Sequence, residues 1–424
     1  MLPKLSSLLR HSVSKNAFAL TINQASNYII PLLLIPFLTR ALGVSTFGEV
    51  AIALSAIQLC FIFTDYGFSI SATHAISLNR DNHRYIERKI SRIFFAKLAL
   101  TSIACLTLIA TPALFHKFNN IESLFFAGII SVIAQSFQPT WLFQGLEKMK
   151  NITIYNVLTK FVYAGLVISI VRGPGDATLI IYLWGLANFL GLIASLYLMY
   201  KSGFKIRTVP LSEVISEIKE STQYFWSRLA VSTYTAASTL IIGLQSPIQA
   251  AQFNVCEQIY KAAQNATSPI NSALFPYMAK YQNWGLFIKV VSITAIILGL
   301  GCLFFWLFSP EIVNLVFGEN YNSITPTLGV FLATTTINYL GVSFGYSAFS
   351  ALNRTDIANK TVMFGAGLHL INISILYILA DITAFNIAIA ILITESAVML
   401  MRLIFLVLLY KRSPLKLKSP YEQL

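Results

Sequence analysis

"FQPTWLFQGLEKMKN", Phe137 to Asn151, closes a long apolar run with a proline, two aromatics and then charge. Its first half suits hydrocarbon and its second half suits water, so its reading decides the fold. Composition makes the choice. Of 424 residues 56% are hydrophobic and only 11% charged, against about 25% charged in an average soluble domain. Apolar windows of about 20 residues, enough to cross a bilayer, recur along the whole chain. The fold class is therefore an all-α polytopic membrane protein, and Phe137–Asn151 is an elbow at one membrane face.

Working outward, hydropathy places twelve spans near residues 17–38, 50–76, 93–112, 121–143, 152–171, 177–200, 222–244, 250–277, 287–308, 326–350, 359–380 and 384–409. Lys4, Arg10 and Lys15 precede a first run too long for a signal-peptide core, so that span is expected to stay uncleaved. With the N-terminus inside, the inner segments hold twenty of the thirty lysines and arginines, and the outer loops only Arg40, Lys117 and Arg172. Both termini are then cytoplasmic. The net charge of +13 is explained by topology and by anionic lipid heads, so no nucleic-acid partner is expected. Cys60, Cys105, Cys256 and Cys302 lie singly in apolar runs and read as small core residues.

The polar segment 206–221 divides residues 1–205 from 222–424, six spans on either side. At an offset of 206 residues "FQGLEKMKN" falls on "FSALNRTDI", pairing Phe143 with Phe349, Leu146 with Leu352 and Lys148 with Arg354. The same offset sets Phe47, Ala56 and Gln58 on Phe253, Ala262 and Gln264. A duplicated six-span unit is expected, a plan that transporters use.

Charges within the spans are the candidate functional groups, since each costs roughly 2.5–3.5 kcal/mol at the bilayer centre. Lys289, Lys360, Lys97 and Arg402 are expected to snorkel to the interface. Lys160, Arg228 and Lys261 lie deeper, with the acids Asp65, Glu257 and Glu395. Glu257 and Lys261, four apart, share a helix face; they are either a self-neutralising pair or part of a cavity. Tyr66, Trp226, Tyr234, Tyr260 and Tyr339 are candidates for stacking on sugar faces, packing being the other use of such rings. His369 reads as a hydrogen-bonded core histidine. The elbow residues Pro139, Trp141, Gly145, Glu147 and Lys148 form either an interface turn, with Trp141 at the head groups, or a functional element, which is a lobe hinge or a cytoplasmic docking site.

"PTWLFQGLEKMKN" resembles the motif after the fourth span of the O-antigen unit flippases (Wzx-type). These form part of the polysaccharide transporter branch of the multidrug/oligosaccharidyl-lipid/polysaccharide exporter superfamily. "IPFLTRALGVSTFGEVAIALS", Ile35 to Ser55, is similar to that family's opening, with its proline, R-x-L-G and F-G, and "TDYGF" to its second-span motif. The resemblance implies two six-helix lobes about a cavity lined by spans one, two, seven and eight. Asp65, Arg228, Glu257 and Lys261 would then lie on those spans, with Arg40 at the outer end of the first. It implies an undecaprenyl-diphosphate-linked glycan as cargo, moved to the periplasmic leaflet of the bacterial inner membrane by alternating access. It also implies an O-antigen polymerase and chain-length regulator as partners. Coupling to a proton or sodium gradient, no bound cofactor, no metal, no catalytic residue and a monomeric state are expected. A multidrug exporter of the same superfamily is the nearest rival. A membrane polymerase or ligase is the rival from another class, although the longest outer loop, "SPEIVNLVFGENYNSIT", pairs no acid with His, Arg or Cys.

Overall fold

The computed structural model describes residues 2–233 and 236–412; within these, the side chains of 2–21, 28, 227, 228, 230–233, 236 and 410–412 lie outside the description. Among the described residues every regular element is helical. Inside hydrocarbon a backbone must bond to itself, and a helix does so within one segment. Among the described residues nine helical stretches are long and apolar enough to cross a bilayer, so the chain is a multi-pass membrane protein. One of them, Ile22–Leu78, runs for 57 residues. At about 1.5 Å per residue that is more than two bilayer cores of about 30 Å, so it takes in the first two expected spans. The seventh expected span crosses residues 234–235, outside the described residues, and the eighth stands outside the nine because Glu257, Lys261 and the polar residues around them dilute its apolar character.

The chain divides into two compact units, residues 1–255 with 316–321, and residues 256–315 with 322–424. The first contains α1 (Leu2–Asp65), α2 (Phe68–Leu78), α3 (His83–Leu114), α4 (Glu122–Ser136), α5 (Thr140–Gly145), α6 (Met149–Ile170), α7 (Ala177–Lys201), α8 (Leu211–Thr233) and α9 (Ala236–Gly243). The unit boundary falls within α10 (Pro247–Tyr281). The second continues with α11 (Trp284–Leu307), α12 (Ser309–Phe317), α13 (Thr325–Val342), α14 (Ala348–Ser350), α15 (Thr355–Ile378) and α16 (Ala384–Arg412). Leu33, Leu106, Phe161, Leu300 and Ile378 stand exposed on the helices, as an apolar solvent allows.

The glycines of the opening motifs are places of close approach. Gly43 turns the chain within α1 at φ 74°, a left-handed conformation that only glycine adopts cheaply. A Cβ on Gly48 would lie 1.9 Å from the Pro247 carbonyl oxygen. Gly67 has φ 80°, and a Cβ there would meet Tyr224 at 2.7 Å. The second expected span, 50–76, is therefore not one helix: α1 ends at Asp65, the chain turns through Tyr66 (φ 46°) and Gly67, and α2 begins at Phe68.

Matching turns recur in the backbone at the 206-residue offset. Glu147 has φ 55° and Asn353 φ 54°, 206 residues apart. The Lys148 amide donates to the Phe143 carbonyl at 2.8 Å, and the Arg354 amide to the Phe349 carbonyl at 3.0 Å. The Glu147 amide bonds the Gln144 carbonyl as the Asn353 amide bonds that of Ser350. Phe68, Ala72, Leu142, Phe143 and Ile152 of one core answer to Leu274, Met278, Ala348, Phe349 and Ala358 of the other. At the start of the helix after the second-to-third loop the offset is 201, since Asn82 and Asn283 cap α3 and α11 alike. Pro139 ends the first copy's fourth span; at its place in the second stands Gly345, inside a π-helical turn with ψ −115°.

The polar segment before α8 is strapped to the start of α3. Arg207 Nε bonds the Glu87 carboxylate at 3.1 Å, and its amide donates to Ser91 Oγ at 2.9 Å. Lys89 Nζ pairs with Glu217 at 2.8 Å, both side chains buried. Arg88 and Arg92 bracket Glu213. The Arg88 hydrogen bond, then Arg92, holds the Glu213 carboxyl down to about 2 from an ordinary 4.5. A carboxyl depressed in the folded state contributes stability above its unfolded value and loses it as pH falls through the folded one. Amide-exchange protection over residues 211–220 is therefore expected to decline between about pH 4.5 and about pH 2. Glu213→Gln should show weakened protection already at pH 7; equal protection there would remove Glu213 from the strap.

Candidate functional site

Within the first unit lies a polar cavity of about 280 Å³. Six helical segments each bring one group to it: Asn27 from α1, Ser69 from α2, Lys97 from α3, Gln135 from α4, Lys160 from α6 and Asn188 from α7. Two broken helices explain its polarity. α1 stops at Asp65 and α4 at Ser136, so each leaves carbonyls without an intrahelical donor. Lys97 Nζ donates to the Ser136 carbonyl at 2.6 Å, where the negative end of a helix dipole also favours a cation. Asp65 accepts from Ser69 Oγ at 2.9 Å.

The remaining lining is made of carboxamides and hydroxyls that orient one another. Gln138 Nε2 donates to the Asn188 carbonyl at 3.1 Å, and Asn188 Nδ2 to the Trp184 carbonyl at 2.9 Å. Asn156 Nδ2 donates to Asn23 Oδ1 at 3.0 Å. Thr140 and Tyr155 share a hydroxyl contact of 2.8 Å. One N–H of each of Gln138, Asn188 and Asn156 is thus held by the protein. The Lys160 ammonium has no hydrogen-bond or ion-pair partner among the described residues. Trp141 is also among the lining residues.

Of the expected site residues, this cavity brings together Asp65, Lys160 and the elbow's Trp141. Trp141 is 2% exposed and packs with Phe68 and Phe143, so its ring belongs to the core and not to the head groups. Pro139 breaks the helix, Gly145 lies against Ile76, Glu147 pairs with Arg80 at 2.7 Å and Lys148 is exposed. Tyr66 stacks on Phe225 at 4.5 Å, with its hydroxyl on Thr222. Trp226 is exposed beside Phe225, and Arg40 is exposed on α1. Arg228 lies on α8 with its side chain outside the described residues, as Tyr234 does altogether.

In the second unit Lys261 Nζ meets Glu257 at 2.8 Å, the carboxylate buried and the lysine partly so. Tyr260 packs against Phe331; Tyr339 and His369 are buried. Glu395 accepts from Asn338 Nδ2 at 3.0 Å.

Lys97 and Arg402 differ from expectation. Both are almost fully buried, and neither snorkels. Arg402 Nη1 donates to the Gly341 carbonyl at 2.7 Å and Nε to Thr361 Oγ1 at 2.9 Å. Its guanidinium lies flat against Gly345, where a Cβ would meet it at 2.8 Å. Each copy of the broken helix is thus closed by a buried cation. The available signal was the break itself: a carbonyl released inside hydrocarbon needs a donor.

The family described as "Polysaccharide biosynthesis protein" matches residues 13–282. A protein of Shigella dysenteriae named putative O-antigen transporter is 27% identical over 368 residues, 85% of this chain and 91% of that one. Two solved structures share the fold at low identity. One is the lipid II flippase MurJ in an inward closed conformation, with TM-score 0.69, 11% identity, and coverage of 92% of this chain and 87% of that one. The other is a multidrug resistance MATE family transporter of the MOP superfamily, inward-facing, with TM-score 0.63, 14% identity, and coverage of 94% and 99%.

Proposed function

The chain belongs to the polysaccharide biosynthesis protein family, and from that premise we propose that it is a flippase for an undecaprenyl-diphosphate-linked oligosaccharide. The cargo moves from the cytoplasmic to the periplasmic leaflet of the bacterial inner membrane. The observation that carries this reading is a polar cavity holding two lysines to one aspartate inside a membrane-spanning bundle. A charge there is costly, and it is kept where an anionic, hydroxyl-rich head group has to be received. Twelve spans, cytoplasmic termini and two six-helix lobes, residues 1–205 and 222–424, complete the proposal. Alternating access by the lobes would carry the head group while the lipid tail stays in hydrocarbon. The acids Asp65, Glu257 and Glu395 are assigned to ion coupling or charge pairing, with a proton or sodium gradient as the driving force. Arg40, Arg228, Lys261 and Lys160 are assigned to the head group. A monomer working beside an O-antigen polymerase and chain-length regulator is the assembly proposed.

The rival, a multidrug exporter of the same fold, is disfavoured because two lysines in the cavity would repel organic cations. The test is expression in cells that lack their own flippase but make a lipid-linked repeat unit. Surface polysaccharide should return, and the precursor held in the inner leaflet should fall. Good expression with the precursor still trapped, across several repeat units, together with resistance to cationic drugs, would transfer the assignment to drug export.

A further inference from the structure

Between α6 and α7 the first unit holds an apolar groove of about 390 Å³. Leu158 and Val162 form one side, and Leu190, Ile193, Ala194 and Tyr197 the other. Leu158, Ile193 and Tyr197 are each more than half exposed, so the groove opens outward. Its floor is Gly191 against Thr159, where an added Cβ would lie 2.4 Å from the threonine hydroxyl oxygen. That hydroxyl donates to the Tyr155 carbonyl at 2.7 Å, so its single proton is already engaged.

Both helices carry a lysine at the same end of this groove. Lys150, Ile154 and Leu158 follow one another at i, i+4 along α6 and share a helix face. On α7 the row is Leu190, Ala194, Tyr197 and Lys201, at steps of three or four. Residues 171–176 join the two helices, so they run antiparallel and the start of α6 lies beside the end of α7. Lys150 and Lys201 therefore stand roughly 10–12 Å along the axis from Leu158 and Ala194. The Lys201 ammonium lies over the Tyr197 ring, 5.9 Å from its centroid. Both lysines are exposed, and neither forms an ion pair among the described residues.

We propose that this groove binds an anionic phospholipid of the bilayer, one acyl chain on the Gly191–Thr159 floor and the phosphodiester between Lys150 and Lys201. The tail meets hydrocarbon and the head group meets two cations, one from each helix, with Tyr197 at the boundary where such rings sit. A zwitterionic phospholipid would bring an ammonium of its own to the same lysines. A second copy of the chain, docked about a two-fold axis, would set these lysines against their own kind. A methyl-branched polyprenyl chain follows a seam between two helices less closely than a straight acyl chain does. Thr159 also lines the polar cavity, so a chain seated in the groove backs that cavity's wall and stabilises it. The site is independent of what the cavity carries.

The experiment titrates the purified, delipidated full-length chain in detergent with dioleoyl phosphatidylglycerol, dioleoyl phosphatidylethanolamine or undecaprenyl phosphate, and counts bound lipid by native mass spectrometry. Phosphatidylglycerol should half-saturate at a concentration about fivefold or more below that of phosphatidylethanolamine, as two lysines near a phosphate imply. It should also raise the thermal midpoint more than phosphatidylethanolamine does. Lys150→Gln combined with Lys201→Gln should bring the two phospholipids to within about twofold of each other. Both positions are exposed, so the exchange leaves folding intact, and an unchanged thermal midpoint without lipid checks that. Lys219→Gln combined with Lys289→Gln removes the same charge at exposed sites elsewhere and should keep the preference. Ala194→Phe, which fills the groove, should weaken both phospholipids alike. Equal binding of the two phospholipids by the wild type would overturn the proposal. So would loss of the preference in the Lys219 and Lys289 pair, which would make it a property of surface charge at large. Undecaprenyl phosphate displacing phosphatidylglycerol at lower concentration, and failing to do so in Ala194→Phe, would transfer the groove to a polyprenyl carrier.

Discussion

Gly48→Ala is expected to lower the unfolding free energy by about 3 kcal/mol or more, the upper end of what overpacking costs. The added methyl group would start 1.9 Å from the Pro247 carbonyl oxygen and 2.5 Å from its carbon. Both are backbone atoms at the start of α10, so no side-chain rotation relieves the overlap. α1 and α10 must separate locally, and Phe47, Ile52 and Phe253, all buried, lose packing with them. Gly165→Ala is the control. It sits within α6 with nothing inside 4 Å of the new methyl, and such a change in a helix interior gains roughly 0.5–1 kcal/mol. Thermal unfolding of both variants in the same detergent checks the pair. Midpoints within a degree of each other would show that the α1–α10 approach is looser than the structure has it.

Lys261→Met should remove transport and most of the folded protein together, and the reason lies in its partner. The Glu257 carboxylate is 5% exposed and pairs with Lys261 at 2.8 Å. Breaking a buried pair from one side leaves an uncompensated charge, at a cost of about 3–5 kcal/mol. Lys261→Gln is the milder probe, since its carboxamide can still donate to Glu257. The decisive variant is the double change Glu257→Gln with Lys261→Met, which removes both charges and should recover the wild-type thermal midpoint to within about 1 kcal/mol. If Lys261 serves the cargo, surface polysaccharide stays absent in that well-folded double variant. If it returns, the pair exists only to neutralise itself.

Much of the architecture is legible in the residues because hydropathy and charge asymmetry act over tens of positions. The helical membrane class, the elbow at Pro139 and the repeat all come from such averages, and the repeat came out sharper in backbone angles than in side chains. Features set by one residue were harder to see. The turn at Tyr66–Gly67 occupies two positions within an apolar window, so residues 50–76 look like one span. "DYG" holds the signal, because a glycine in the left-handed region is a common way to end a helix. Gly43 kinks α1 by the same means, with a helix on either side of it. The segment 206–221 looks like a linker by its charge, yet those charges find partners on α3 and let α8 begin at Leu211. Lys97 and Arg402 look like interface residues because burial of a cation is set by a carbonyl from another helix, which no local pattern reveals. The cavity residues were legible one at a time as misplaced polar groups, while their convergence depends on how the helices pack.

The two closed breaks also differ in the helix that supplies the cation. In the first copy the donor is Lys97, from the third helix of the set; in the second it is Arg402, from the sixth. The places where each would have a counterpart now hold Leu298 and Leu196. The requirement has been inherited and the solution has moved. The halves are consequently no longer interchangeable parts. A chimera that grafts α11 in place of α3 would put leucine where the lysine stood and leave the Ser136 carbonyl without its donor. A tandem of two first halves would keep a lysine at both joints. Shuffling segments of this chain therefore has to respect which helix carries the cation, a rule that similarity between the halves would hide.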